Sequence, residues 1–130
     1  MTKINQPVLV VGTGAMACLF SARLSAAGYL VRMLGTWKEG LAALRSRGVR
    51  MKLPDGSVCT YPVEVTNNPA DCQGTEFVLV LVKSWQTERA SRQLASCLSD
   101  QGLALTLQNG LGNQDILAAA LGEDRTALGV

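Results

Sequence analysis

VLVVGTGAMACLFSARLSAAG, residues 8–28, decides the fold of this chain. Val8-Leu9-Val10-Val11 is a short, continuous apolar run rich in valine, which suits a strand covered on both faces. Gly12-Thr13-Gly14 breaks the run. Met16, Leu19, Phe20, Leu24 and Ala27 then recur at helical spacing, and Gly28 stops the helix as a C-terminal cap should. Leu30-Val31-Arg32-Met33-Leu34 reads as a second strand. Strand, glycine turn, helix, strand implies parallel pairing with a right-handed crossover.

Outward from there the alternation continues. A second helix is expected from Trp37 to Arg47, with Leu41 and Leu44 inward and Gly48 ending it. The middle differs. Val49 to Leu53 and Val58 to Val65 read as the arms of a hairpin around Pro54-Asp55-Gly56-Ser57, and Asn67-Asn68-Pro69 as a loop. Phe77 to Val82 is the clearest buried strand, followed by Lys83-Ser84-Trp85-Gln86 and a helix with Ala90, Leu94 and Leu98 on one side. Gly102 opens a strand over Leu103 to Leu107. After Gln108-Asn109-Gly110-Leu111-Gly112, a short helix (Asn113 to Leu121) and a last strand (Thr126 to Val130) are expected. The fold class is therefore α/β: a Rossmann-like, doubly wound, mostly parallel sheet with a hairpin insertion, in a single domain over residues 1–130.

Composition narrows the chemistry. At 130 residues, 48% apolar and 17% charged, the chain is long and apolar enough to bury one core. A formal net charge of +2 argues for neither nucleic acid nor a membrane surface. The densest basic run, Arg45, Arg47, Arg50 and Lys52, reads as a solvated helix end and loop. Cys18, Cys59, Cys72 and Cys97 lie far apart, and there is no histidine. That excludes ordinary zinc-site patterns, so no metal is expected, and it removes Ser-His and Cys-His catalysis. Proton transfer is left to lysine, carboxylate, tyrosine, cysteine or water. The N-terminal residues lack the apolar region of a signal peptide, and no apolar run approaches a membrane span. A cytoplasmic location is expected.

Gly12-Thr13-Gly14-Ala15-Met16-Ala17 matches G-x-G-x-x-G/A, and each position has a physical task. Gly12 allows the tight strand-to-helix turn, Gly14 lets the backbone approach a pyrophosphate, and Ala17 permits close helix-on-strand packing. The helix N-terminus beyond offers unpaired N–H groups and a positive dipole end. Dinucleotide binding is the reading this context favours over a merely structural glycine turn. NAD-preferring sites place an acid about 20 residues on, at the end of the second strand. Here Leu34-Gly35-Thr36-Trp37-Lys38 has no acid before Glu39, which tilts the choice from NAD towards NADP. Thr36 can donate a hydrogen bond and Lys38 a charge. Trp37 reads equally as a cover for adenine or as packing between helix and sheet.

Three motifs in order, "VVGTGAMA", "VLVLVKSWQT" and "LTLQNGLGN", resemble the N-terminal domain of the ketopantoate reductase (2-dehydropantoate 2-reductase) family. The lysine in its K-x-W-Q setting and the N-G-x-G turn are far more specific than the glycine motif. The resemblance implies an NADPH-dependent reduction of ketopantoate to pantoate, a step towards pantothenate and coenzyme A. It implies that Gly12, Gly14 and Ala17 belong to the pyrophosphate loop, that Lys83 borders the cofactor and active-site crevice, and that Asn109 orients substrate and nicotinamide. Thr36 stands where the family commonly has an arginine for the 2′-phosphate. The charge then falls to Arg32, mid-strand, or to the better solvated Lys38. The resemblance further implies that the general-acid lysine and a substrate-binding glutamate lie in a helical C-terminal domain, absent from this chain. The expected partners are thus a small 2-oxoacid and that helical domain, with a homodimer formed through any apolar face left over.

The residues alone keep bland readings beside these. Lys83 is either a ligand at the carboxyl end of a strand or an ordinary solvated strand end. Trp85 reads as packing under the loop, and Gln86 as a helix cap or a ribose contact. Gln108 to Gly112 is a capping turn for the next helix, which is compatible with Asn109 holding a ligand. A stand-alone NADP-binding or redox-sensing module, and a reductase of another 2-oxoacid, are the alternatives.

Overall fold

The computed structural model of the chain describes residues 6–108 and 111–129. Its elements in chain order are β1 (Val8–Val11), α1 (Ala15–Ala26), β2 (Val31–Leu34), α2 (Lys38–Arg47), β3 (Val49–Lys52), β4 (Val58–Tyr61) and β5 (Glu64–Thr66). There follow β6 (Thr75–Val80), α3 (Thr87–Cys97), β7 (Leu98–Thr106), α4 (Asn113–Leu121) and β8 (Thr126–Leu128). Six strands form one sheet in the order β5-β2-β1-β6-β7-β8, every pairing parallel. β3 and β4 form a separate antiparallel hairpin. The order reverses between β1 and β6, so the crevice of a doubly wound sheet opens at their carboxyl ends.

The valine-rich strands are buried on both sides because each face of the sheet meets its own layer. Leu9 and Val11 point into one core with Val78, Val80, Ala90, Leu94 and Leu117, under α3 and α4. Val10 points into the other, with Ala17, Ala22, Val31 and Met33, under α1 and the hairpin. Each fully buried valine, leucine or methionine among them contributes roughly 1.5–3 kcal/mol.

The structure departs from the sequence reading in several places, and one is that Leu98, read on the helix with Ala90 and Leu94, opens β7 instead. The second arm of the expected hairpin, Val58 to Val65, is split. Pro62 lacks an N–H and ends the pairing at Tyr61, and the chain turns back so that β5 pairs with β2 at the sheet edge. There Arg32 meets Glu64 at 2.7 Å across the register. The strand expected over Phe77 to Val82 starts and stops two residues earlier, which leaves Leu81 and Val82 in the loop ahead of Lys83. Finally, α1 packs on the sheet through Ala17, Ser21 and Ala22, while Met16 and Leu19 face outward. Small residues win the inner face because the glycine turn brings the helix close to the strands.

Candidate functional site

The turn after β1 is built by contact with the loop that follows β6. Gly12 has φ +127°, and a Cβ placed on it would meet the Leu81 carbonyl oxygen at 3.1 Å. Its N–H donates to the Leu34 carbonyl at 2.9 Å, tying the turn to β2. Gly14 is different. A Cβ there would meet nothing within 4 Å, so its backbone is open on the ligand side. It is also the N-terminal cap of α1, with no side-chain hydrogen bond to the first turn. The donors a pyrophosphate needs are therefore presented without a competing side chain. Ala17 is fully buried, as close helix–sheet packing demands.

Two cavities flank this turn. One, of about 230 Å³, lies between Ala15 and Met16 on one side and Ser84, Leu107 and Gln108 on the other. The second, of about 120 Å³, runs from Thr13 and Gly35 past Thr36 and Trp37 to Gln86 and Arg89. Gly14, Leu81, Val82 and Lys83 line both, so the cavities are two halves of one crevice joined at the glycine turn. Lys83 stands at the junction on the loop that follows β6, its side chain exposed. No acidic residue lines either half.

The loops that carry this crevice are held from below by a hydrogen-bonded network. The Gln108 amide nitrogen donates to the Val82 carbonyl at 2.8 Å and to Thr87 Oγ1 at 2.9 Å. Its amide oxygen accepts from Thr106 Oγ1 at 2.8 Å. Thr87 in turn donates to Asn113 Oδ1 at 2.9 Å, and Asn113 Nδ2 donates to Ser84 Oγ at 3.2 Å. The β7–α4 loop and the β6–α3 loop are thus cross-linked on either side of Lys83. Gln86 accepts the Lys83 N–H through Oε1 at 3.2 Å, so its capping role is realised while it also faces the second cavity.

The sequence-derived candidates divide clearly. Gly12, Thr13, Gly14, Ala15, Met16, Thr36 and Lys83 come together around the crevice, with Ala17 packed behind it. Lys38 is exposed at the start of α2 and lines neither half. Arg32 faces the opposite end of the sheet, beside Pro7 and Gln73, and is engaged by Glu64 and by the Asp71 carbonyl at 2.6 Å. Asn109 lies outside the described residues. Trp37 rests its ring on Gly40 of α2, stays largely exposed and lines the second cavity. Trp85 is 80% exposed and packs under nothing.

Two residues escaped the sequence reading. Gln108 is the hub of the supporting network, hidden beside the more conspicuous Asn-Gly pair. Arg89 lines the second cavity, and its Nε is buried with no hydrogen-bond partner. A signal for Arg89 was available: Lys83, Gln86 and Arg89 recur every three residues, a spacing that shares one helix face.

Thiol chemistry finds no support at this site. The Cys18 thiol donates to the Thr13 carbonyl at 3.7 Å, and burial pushes its pKa up, away from the thiolate. All four cysteines are free, and no cluster of metal-binding side chains occurs among the described residues. No helix among them is long and apolar enough to cross a membrane.

Comparison with known proteins bears directly on this arrangement. The ketopantoate reductase PanE/ApbA family pattern matches residues 8–130. The 2-dehydropantoate 2-reductase of Halobacterium salinarum is 35% identical over 123 residues, covering 94% of this chain and 40% of the relative. The enzyme of that name from Archaeoglobus fulgidus is 35% identical over 114 residues, covering 87% of this chain and 35% of the relative. The crystal structure of 2-dehydropantoate 2-reductase from Geobacter metallireducens superposes with a TM-score of 0.84 at 27% identity, over 96% of this chain and 41% of that one. D-Mandelate dehydrogenase, solved with NADH and anilino(oxo)acetate, shares the fold with a TM-score of 0.86 at 19% identity, over 95% of this chain and 40% of the other. The chain spans about 40% or less of the length of these curated relatives. A parallel six-stranded sheet with its glycine turn, the lysine at the crevice and a family match over nearly every residue lead to one statement: the chain belongs to the ketopantoate reductase PanE/ApbA family.

Proposed function

We propose that this chain is the cofactor-binding part of an NADPH-dependent 2-oxoacid reductase that converts 2-dehydropantoate to pantoate. The observation that carries the reading is the two-part crevice joined at Gly14 and Lys83. The half bounded by Thr36 and Trp37 suits the adenosine end of a dinucleotide. The half bounded by Met16, Leu107 and Gln108 suits the nicotinamide end. The open backbone of Gly14 between them suits the pyrophosphate, with the uncapped start of α1 aimed at it.

When bound, the reduced nicotinamide supplies the hydride that the substrate carbonyl carbon receives. This chain's residues do the positioning. Leu81, Leu107 and Met16 wall the nicotinamide half with apolar surface and limit water there. Lys83 places an ammonium at the junction, where it attracts the carboxylate and polarised carbonyl of a 2-oxoacid. Asn109, which follows β7 in the chain, is the residue for orienting substrate and nicotinamide through its amide. The proton that completes the alcohol comes from a lysine of a C-terminal helical domain, which also closes the crevice. Reduction is therefore expected of the protein that contains that domain, and cofactor binding alone of residues 1–130.

Calorimetric titration of the 130-residue chain with NADPH and NADH tests the binding half of the reading. NADPH is expected to bind, and more tightly than NADH; equal affinities refute the cofactor preference. Joining the chain to a helical domain and assaying NADPH oxidation with 2-dehydropantoate and other 2-oxoacids tests the substrate. Turnover on another 2-oxoacid but not on 2-dehydropantoate would move the assignment to a different reductase. Robust turnover by residues 1–130 alone would refute the need for a second domain.

A further inference from the structure

We propose that Arg89, in the first turn of α3, grips the 2′-phosphate of the adenosine ribose and sets the preference for NADP. The inference rests on the reading of the crevice as a dinucleotide site. It answers a question that reading leaves open, namely where the positive charge comes from when Thr36 follows the second strand.

Four cations are candidates, and the structure separates them. Arg32 is held by Glu64 and the Asp71 carbonyl at the opposite end of the sheet. Lys38 is exposed on α2 and does not line the adenosine half. Arg89 does line it, in the same cavity as Thr36 and Trp37. Lys83 lines it too, but stands at the junction shared with the nicotinamide half.

The local chemistry of Arg89 points the same way. Its Nε is buried, and no group of the described protein accepts from it. No carboxylate lines the cavity to neutralise it or to repel a phosphate. Its place in the helix is unfavourable in itself, because the first turn of a helix is the positive end of the dipole. Helix stability therefore does not explain a cation there, whereas an anion seated between the guanidinium and the Thr36 hydroxyl does. The planar fork of an arginine matches a phosphate with two parallel hydrogen bonds, which a free ribose hydroxyl cannot return.

The test measures binding of NADPH, NADH, 2′,5′-ADP and 5′-AMP to the 130-residue chain and to its Arg89→Gln, Arg89→Lys and Lys38→Gln variants. Arg89→Gln is expected to weaken NADPH and 2′,5′-ADP by about 10- to 100-fold. NADH and 5′-AMP should change by less than about twofold, which also shows that the variant folds. Arg89→Lys should recover part of the loss, since it restores charge without the fork. Equal weakening of the ligands with and without the 2′-phosphate would overturn the proposal, as would a loss confined to Lys38→Gln. If the unaltered chain binds none of the four ligands, the dinucleotide reading fails and this one with it. If it binds NADPH and Arg89→Gln changes nothing, only the role of Arg89 fails.

Discussion

Gly12 and Gly14 lie two positions apart and answer to different constraints, one internal and one external. Gly12 is in a left-handed conformation against the Leu81 carbonyl, so any side chain there strains the protein itself. Gly12→Ala is expected to lose about 1–3 kcal/mol in urea denaturation, with or without cofactor. Gly14 has ordinary backbone angles and open space around its missing Cβ. Gly14→Ala should leave stability within about 0.5 kcal/mol, yet weaken NADPH by about tenfold or more, because the added methyl group sits where the pyrophosphate approaches. A Gly14→Ala chain with unaltered NADPH affinity would remove the pyrophosphate from this turn. Buried thiols give a residue-scale prediction of another kind. Burial lifts the Cys97 thiol from 9.0 to about 11, with Cys72 adding to the effect. The unfolded chain therefore releases this proton first, and it binds fewer protons than the folded chain between those two values. Stability should fall as pH rises from about 9 to 11, by up to about 2 kcal/mol. A Cys97→Ala comparison across that range checks it, since the variant's own curve should lack this component.

At the scale of elements, the crevice depends on how α3, α4, β6 and β7 are tied together. Thr87, fully buried at the start of α3, accepts from Gln108 and donates to Asn113. Thr87→Val keeps the shape but leaves the buried Asn113 amide and the half-buried Gln108 amide each short of a partner. A loss of about 1–3 kcal/mol is expected, together with weaker NADPH binding, because Val82 and Ser84 flank Lys83 in the loop the network holds. Denaturation and titration of the same sample measure both; unchanged NADPH affinity would mean that the network supports the fold and not the site. These ties also show what could and could not be read beforehand. The βαβ unit from Val8 to Leu34 was legible because a buried valine run, a glycine turn and a helical period all indicate the same local structure. β5 was not, because Val63 and Val65 alternate equally well in a hairpin arm or at a sheet edge. The choice is made by Pro62 and by pairing with β2, which is distant in sequence. The inner face of α1 was obscured for the opposite reason. Large apolar residues mark a helical stripe by eye, but the close approach at Ala17 selects the small ones. Lys83 and Thr36 could be placed from strand ends, whereas Arg89 reaches the crevice only through the packing of α3 on the sheet.

Over the whole molecule, the two faces of the sheet are covered unequally. The face under α3 and α4 closes over β1, β6 and β7 with residues such as Val78, Val80 and Ala104 fully withdrawn from solvent. On the other face α1 and the hairpin cover β1 and β2, but Phe77 of β6 and its register neighbour Leu103 of β7 are left exposed. Leu19 of α1 adds to the apolar surface of that side. Adjacent strands make the Phe77–Leu103 pair a contiguous patch, and such surface in water favours association. Residues 1–130 are therefore expected to self-associate as concentration rises in sedimentation velocity. Phe77 and Leu103 each lie three residues short of the carboxyl end of their strand and line neither half of the crevice, so Phe77→Lys with Leu103→Lys should restore a monomer and leave NADPH affinity within about twofold. A monomer at every concentration without those substitutions would refute the prediction. Self-association that survives them would instead place the contact beside the crevice, where Trp85 next to Ser84 is exposed, and it should then compete with NADPH.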